Sequence, residues 1–193
     1  MSVQAFLKEK VGVFRDISAE RLEALVAGSP VRSFEANEAI MHGGSEATHF
    51  GVVLSGAVGA SALGDGGARE SLGRLQAGDT FNEMALMTGD AVLADFIAES
   101  HCEVLLIPVS LFQSVIVAEP GAVQHVSRTI AERMKTVLAD PAKAAAALRQ
   151  GDDPYGLKLK GERPEKILVI NCGSSSLKYS FYEIGRASCR ERV

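Results

Sequence analysis

The sequence has no tryptophan, and aromatic side chains make up only 6% of its 193 residues. Its three cysteines, Cys102, Cys172 and Cys189, are odd in number and show no metal-ligand spacing. That excludes a disulfide framework or a zinc site as the staple of the fold. No stretch approaches the ~20 apolar residues needed to span a bilayer, and Lys8 and Lys10 following Phe6-Leu7 do not make a signal-peptide layout. A cytoplasmic protein without a membrane partner is expected. Excess positive charge is missing too: the formal charge is -4, and no basic stripe precedes residue 157. Phosphate binding is driven by clustered Lys and Arg, so nucleic acid is not an expected partner. What remains, 47% hydrophobic and 23% charged residues, suffices for one core of ordinary domain size plus an appendage.

Val3, Phe6, Leu7 and Val11 recur at helical spacing, and Leu22, Leu25 and Val26 do so again after Ser18, a good N-cap. Two short helices should open the chain. From Val31 to Pro108 the pattern changes to short apolar runs, among them His49 to Leu54, Ala57 to Leu63 and Glu103 to Ile107. Glycine-bearing turns at 43–44, 55–56, 64–67 and 77–78 separate them, which predicts a β-roll or barrel. Ser110 with Gln113 predicts a capping-box start for a helix from Leu111 to Ala118. Pro120 suits a first helical position, and Val123, Val126, Ile130, Met134, Val137 and Leu138 form an apolar stripe behind it. The stripe must be buried, either on the protein's own roll or in a homodimer seam through helix 122–139, and the length of the helix favours the dimer. Asp140-Pro141 breaks that helix and can cap a short one from Ala142 to Arg149. Residues 150–165 hold three glycines, two prolines and many charges, and read as a linker.

The run from Leu75 through Gly78, Phe81, Asn82, Glu83, Met84 and Ala85 to Asp90 resembles the phosphate-binding cassette of cyclic-nucleotide-binding domains. Upstream, the segment from Val52 to Val58 looks like that family's central strand and turn. The resemblance spans roughly 130 residues and implies a mainly β fold with flanking helices, a double-stranded β-helix or jelly roll. It implies a short cassette helix whose N–H groups meet a cyclic phosphate, a glutamate on the ribose 2'-hydroxyl and an arginine on the phosphate. Glu83 matches the glutamate. The family's glycine is Asn82, however, and its Pro-Arg-x-Ala segment reads Ala91-Val92-Leu93-Ala94, which puts Val92 where the arginine belongs. Losing that contact should cost on the order of 2 to 5 kcal/mol. Val92 and Leu93 suit an uncharged or apolar ligand, or a pocket that binds nothing. Arg69 or Arg74 could restore the charge from neighbouring strands. His42, His49, His101 and His125 lack paired spacing, and Met84 and Met87 read as core filler.

Residues 166–183 read as a strand, a small-residue turn and a second strand, an arrangement that can meet a phosphate. The string Val-Ile-Asn-Cys-Gly-Ser-Ser-Ser-Leu-Lys-Tyr from Val169 to Tyr179 closely resembles the N-terminal signature of acetate kinases. That resemblance implies a β-hairpin fragment of an actin-like kinase fold. It places Asn171 near magnesium and Lys178, with Ser174 and Ser176, near the ATP phosphates. Only some twenty residues of a fold several hundred long are present, so this chain alone is not expected to transfer phosphoryl groups. Residues 185–193 depart abruptly from the kinase pattern and look like translated sequencing-adapter read-through, and the natural chain is expected to continue into a full kinase.

The expected domains are therefore 1–139 for the roll and its helices, 140–165 for helix and linker, 166–184 for the kinase fragment and 185–193 for a non-native tail. The reading that accounts for every segment is a regulatory domain, with a cyclic nucleotide or other small ligand, in a truncated acetate kinase fusion that would use Mg and ATP only when intact. Two others compete: an oligomerising spacer with a dead pocket, and a transcription regulator of the catabolite-activator type. The last needs a helix-turn-helix after the long helix, where the sequence supplies a linker instead.

Overall fold

The computed structural model describes residues 1–63, 68–140 and 142–144 in full, and residues 166–172 and 177–183 by their backbone. The chain divides into two compact units, Met1–Gly151 and Asp152–Val193.

The first unit opens with α1 (Val3–Lys10), a 3-10 turn (Gly12–Phe14) and α2 (Ala19–Ala27). Ser18 caps α2 as expected, accepting from the Arg21 N–H, and Ser2 does the same for α1 by accepting from Ala5. Eight strands follow: β1 (Val31–Phe34), β2 (Ala39–Met41), β3 (His49–Ser55), β4 (Ala57–Leu63), β5 (Arg69–Gln76), β6 (Thr80–Phe81), β7 (Asp95–Ala98) and β8 (Cys102–Pro108). They form two antiparallel four-stranded sheets, ordered β1-β8-β3-β6 and β2-β7-β4-β5. The expected β-roll is present.

The first sheet is covered on both sides, which explains why β3 and β8 read as apolar runs without alternation. Phe50, Val52, Leu105 and Ile107 pack outward with the helices, on Leu7, Phe14, Leu25 and Phe112. Val53, Val104 and Leu106 face the other way and meet Val58, Leu75, Phe81, Val92 and Phe96 inside the roll. Gly56, at φ +77°, makes the corner between β3 and β4, where a Cβ would lie 2.3 Å from the His101 carbonyl oxygen. Only glycine fits there.

After β8 the helix begins at Val109 and not at the predicted capping box: α4 (Val109–Leu111) has Pro108 at its N-cap with no side-chain cap bond. It runs on as a π-helix over Phe112–Val117, which lets Phe112, Val115 and Ile116 all reach the core. Arg21 ties that turn to α2 by donating to the Ser114 carbonyl at 2.8 Å and pairing with Glu119 at 3.3 Å.

α5 (Pro120–Leu138) starts with its proline in the first turn, as the sequence indicates. Its buried side differs in phase from the predicted stripe. Ala122, Val126 and Val137 are buried and Ile130 packs against the helical core, whereas Leu138 is 52% exposed. Val123 and Met134 of the predicted stripe are half-buried, so the stripe is covered in part within the unit. Asp140 then caps the next turn, accepting from the Ala142 N–H at 3.0 Å, and the rest of the predicted helix to Arg149 lies outside the described residues.

In the second unit β9 (Lys166–Cys172) and β10 (Leu177–Glu183) pair antiparallel. Among the described residues no helix is long and apolar enough to cross a membrane.

Candidate functional site

β6 delivers the chain to a left-handed corner at Asn82 (φ 66°, ψ 17°), after which α3 (Glu83–Thr88) begins. The corner turns Glu83 inward, where it is only 4% exposed. Its Oε1 accepts from the Thr80 hydroxyl and, at 2.9 Å, from Arg133 of α5. A buried carboxylate needs such partners, because burial without them strongly disfavours its charge. Arg133 is fifty residues away in the chain, and no motif of the sequence marks it. Its signal was present nonetheless: Val126, Ile130, Arg133 and Val137 are spaced four, three and four apart, so the arginine sits on the buried stripe itself. A cation at a core-facing position calls for a buried anion.

Val92, expected from the sequence to stand where the family has an arginine, is 1% exposed and belongs to the apolar interior of the roll with Phe81 and Phe96, whose rings lie 4.7 Å apart. Its backbone is fixed on both sides, its N–H donating to Ser45 at 2.8 Å and its carbonyl accepting from Gly44 at 2.7 Å. Both strand arginines have acidic partners in the structure. Arg74 pairs with Glu99 at 2.7 Å. Arg69 is bound to Asp95, which is itself 7% exposed and also accepts from the Gly43 N–H at 3.1 Å. Burial pushes the Asp95 carboxyl up, but the Gly43 N–H, the Arg69 guanidinium and His42, whose Nδ1 lies 3.5 Å away, together hold it below the usual carboxylate range.

Asn82, Glu83, Phe81 and Ala85 are brought together at the cassette, all buried. Leu93 is half-buried beside Val92. Gly78 is elsewhere: its N–H donates to Val53 and a Cβ on it would point at Lys10 of α1. Met84 and Met87 are not core filler. Met84 is half-buried and Met87 is 39% exposed, because α3 turns Ala85 and Leu86 to the core instead. A cavity of about 420 Å³ lies between α3 with the residues that follow it to Ala91, the turn at Gly44 to Ala47, and Val109 and Gln113. None of Asn82, Glu83 or Val92 lines it, so it is not the site these residues build.

Among the described residues no group of His, Cys, Asp or Glu could hold a metal ion. Asn171 and Lys178 lie directly opposite one another in the β9–β10 register, while Ser174 and Ser176 fall outside the described residues.

Comparison with known proteins bears on the roll. The cyclic nucleotide-binding domain family matches residues 31–119. The lysophospholipase NTE1 of Pyricularia oryzae is 29% identical over 106 residues, 55% of this chain and 7% of that protein. The chain therefore spans a small fraction of the curated relatives it matches. Among solved structures, the regulatory domain of Toxoplasma gondii protein kinase A with cAMP superposes with a TM-score of 0.60 at 23% identity, covering 67% of this chain and 48% of that one. The regulatory subunit of a cAMP-independent protein kinase A from Trypanosoma cruzi, bound to guanosine, gives a TM-score of 0.56 at 18% identity over 73% of this chain and 46% of that one. The roll from Val31 to Glu119 has the cyclic nucleotide-binding fold.

Proposed function

We propose that the chain is a regulatory module whose roll binds an uncharged, nucleoside-like ligand in place of a cyclic nucleotide. One observation carries this reading: the phosphate's counter-charge is replaced by Val92, buried in an apolar interior, while Arg69 and Arg74 are committed to Asp95 and Glu99. An anion brought there would shed its water without a cation to receive it. The ribose side of the site keeps its means of recognition in Glu83. A protein that shares this fold, the regulatory subunit of a cAMP-independent protein kinase A from Trypanosoma cruzi, binds guanosine, which supports the same division of labour. The decisive experiment is calorimetric titration of the chain with guanosine, adenosine, cyclic AMP and cyclic GMP. Nucleosides should bind at least a hundredfold more tightly than their cyclic phosphates, the two decades that one charge-assisted contact of about 3 kcal/mol is worth. Tighter binding of cyclic AMP than of adenosine would overturn the proposal.

The activity under control is, on this proposal, acetate kinase, ATP and acetate giving ADP and acetyl phosphate, in a longer chain that continues the strand pair 166–183. Support comes from the sequence at Val169 to Tyr179 and from the register that sets Asn171 against Lys178. Coupling would run through α5, since its Arg133 holds the ligand-facing Glu83. A full-length protein whose kinase rate is unchanged by the roll's ligand would refute that link. The alternative of a spacer with a dead pocket predicts no ligand-dependent stabilisation at all. Homodimerisation through helix 122–139 would have to use the face that Leu138 exposes, and sedimentation of the chain tests it.

A further inference from the structure

Asn82 is a buried polar residue at which the chain accepts two penalties. It adopts a left-handed conformation, φ 66° and ψ 17°, which glycine would take without strain. It is also 6% exposed with its Oδ1 lacking any hydrogen-bond partner among the described residues. The orientation of the amide is fixed by chemistry. Its Nδ2 lies 2.8 Å from the His49 carbonyl oxygen, which can only accept, so the NH₂ must point there and the oxygen must point away. A buried acceptor left unmatched is destabilising unless something outside the protein completes it. The adjacent residue is Glu83, whose two protein partners, Thr80 and Arg133, both use Oε1. Among the described residues the site thus has an unmatched acceptor, Asn82 Oδ1, next to a carboxylate whose two protein partners leave Oε2 available for a further contact.

We infer that Asn82 is a ligand-contact residue that sets specificity: its Oδ1 accepts the hydrogen of the hydroxyl next to the one bound by Glu83, so the site selects a free vicinal diol. The inference rests on the proposed nucleoside-like ligand and adds a reason for rejecting cyclic nucleotides that is independent of charge. In a 3',5'-cyclic phosphate the 3'-oxygen is esterified and has no hydrogen to give. In a nucleoside both the 2'- and the 3'-hydroxyl can donate, and two neighbouring acceptors receive them. Ligand binding then satisfies the orphan oxygen, and the strain at Asn82 is offset only in the bound state.

The test is titration of the whole chain with guanosine, 2'-deoxyguanosine and 3'-deoxyguanosine, repeated on Asn82→Gly. In the natural chain each deoxy analogue should bind about tenfold more weakly, the worth of one hydrogen bond at a partly desolvated site. In Asn82→Gly the penalty for losing the 3'-hydroxyl should vanish while the penalty for losing the 2'-hydroxyl persists, and the ligand-free variant should melt higher than the natural chain. Equal affinity for guanosine and 3'-deoxyguanosine in the natural chain, or a 3'-preference that survives in Asn82→Gly, would overturn the assignment of Asn82 alone. Failure of every nucleoside to bind would overturn it together with the reading of the ligand.

Discussion

Replacing Val92 by arginine restores the cation that the cassette lacks and tests whether the pocket otherwise retains a phosphate site. Without ligand the change should be costly. Val92 is 1% exposed, and losing its packing removes about 1.5 to 3 kcal/mol. The guanidinium is then forced into an apolar interior with Phe81, Phe96 and Leu75 around it, so a total penalty of at least ~3 kcal/mol is expected against a stability of 5 to 15 kcal/mol for an ordinary domain. For a chain of this size that lowers the melting temperature by roughly 6 to 12 °C. A cyclic nucleotide whose phosphate pairs with the new arginine should return much of the loss: at a hundred times Kd it stabilises by about 2.7 kcal/mol, or roughly 5 to 10 °C. The assay is thermal unfolding of natural and variant chains with cyclic AMP or guanosine, and Val92→Ala separates lost packing from added charge. The natural chain should be shifted by guanosine and not by cyclic AMP, and the variant by cyclic AMP. An unchanged melting temperature for Val92→Arg without ligand would refute the placement of Val92 in the packed interior. A natural chain stabilised more by cyclic AMP than by guanosine would refute the argument from the missing charge.

Two further predictions concern the ion pairs around the cassette. Arg133→Ala leaves the buried Glu83 carboxylate with Thr80 as its remaining partner. Because Arg133 is itself about a third exposed, the loss should be about 1 to 2 kcal/mol in urea unfolding. Glu83→Gln in the same chain should recover part of it, and an additive double mutant would refute the pairing. Asp95 supplies a pH dependence of definite sign. Its carboxyl titrates lower in the folded chain than in the unfolded one, so its stabilising contribution is complete above the unfolded value of about 3.9 and is lost as pH falls from there through the lowered folded value. Acid unfolding of Asp95→Asn should therefore show a shallower pH dependence below pH ~4 than the natural chain, and identical slopes would remove Asp95 from the account.

The parts of this fold that were legible in the sequence are those in which one residue type answers one local demand. β3 and β8 announce themselves because burial on two faces makes Phe50 to Val53 and Val104 to Ile107 runs without a polar residue, and the corner at Gly56 because no side chain fits against His101. Ser18 before Leu22 reads as a cap because the first-turn N–H groups of any helix need an acceptor. What was not legible depends on pairings distant in the chain. The π-helical turn at Phe112–Val117 serves three core contacts at once, and no periodic template describes it. Asn82 and Val92 could be named as departures from a family pattern, yet the orphan oxygen of the first and the apolar enclosure of the second exist only in the folded chain.

The buried face of α5 shows why such pairings matter for function. Counting only apolar residues gives a stripe through Val123, Val126, Ile130, Met134, Val137 and Leu138, open to the protein's own roll or to a second subunit. Admitting one cation to the stripe rotates the buried face to Ala122, Val126, Ile130, Arg133 and Val137, and the helix then closes on its own unit through α3 and the 3-10 turn. At its near end α5 is anchored in the helical core by Ala122 and Val126; further along, Ile130 packs on that core and Val137 is buried, and Arg133 adds a charged contact to the residue proposed to meet the ligand. Apolar packing does not sense a hydroxyl, but a carboxylate shared between an arginine and a ligand does, because what it accepts from one weakens what it offers the other. On the proposed function, a ligand at Glu83 would therefore act on α5 through the contact with Arg133.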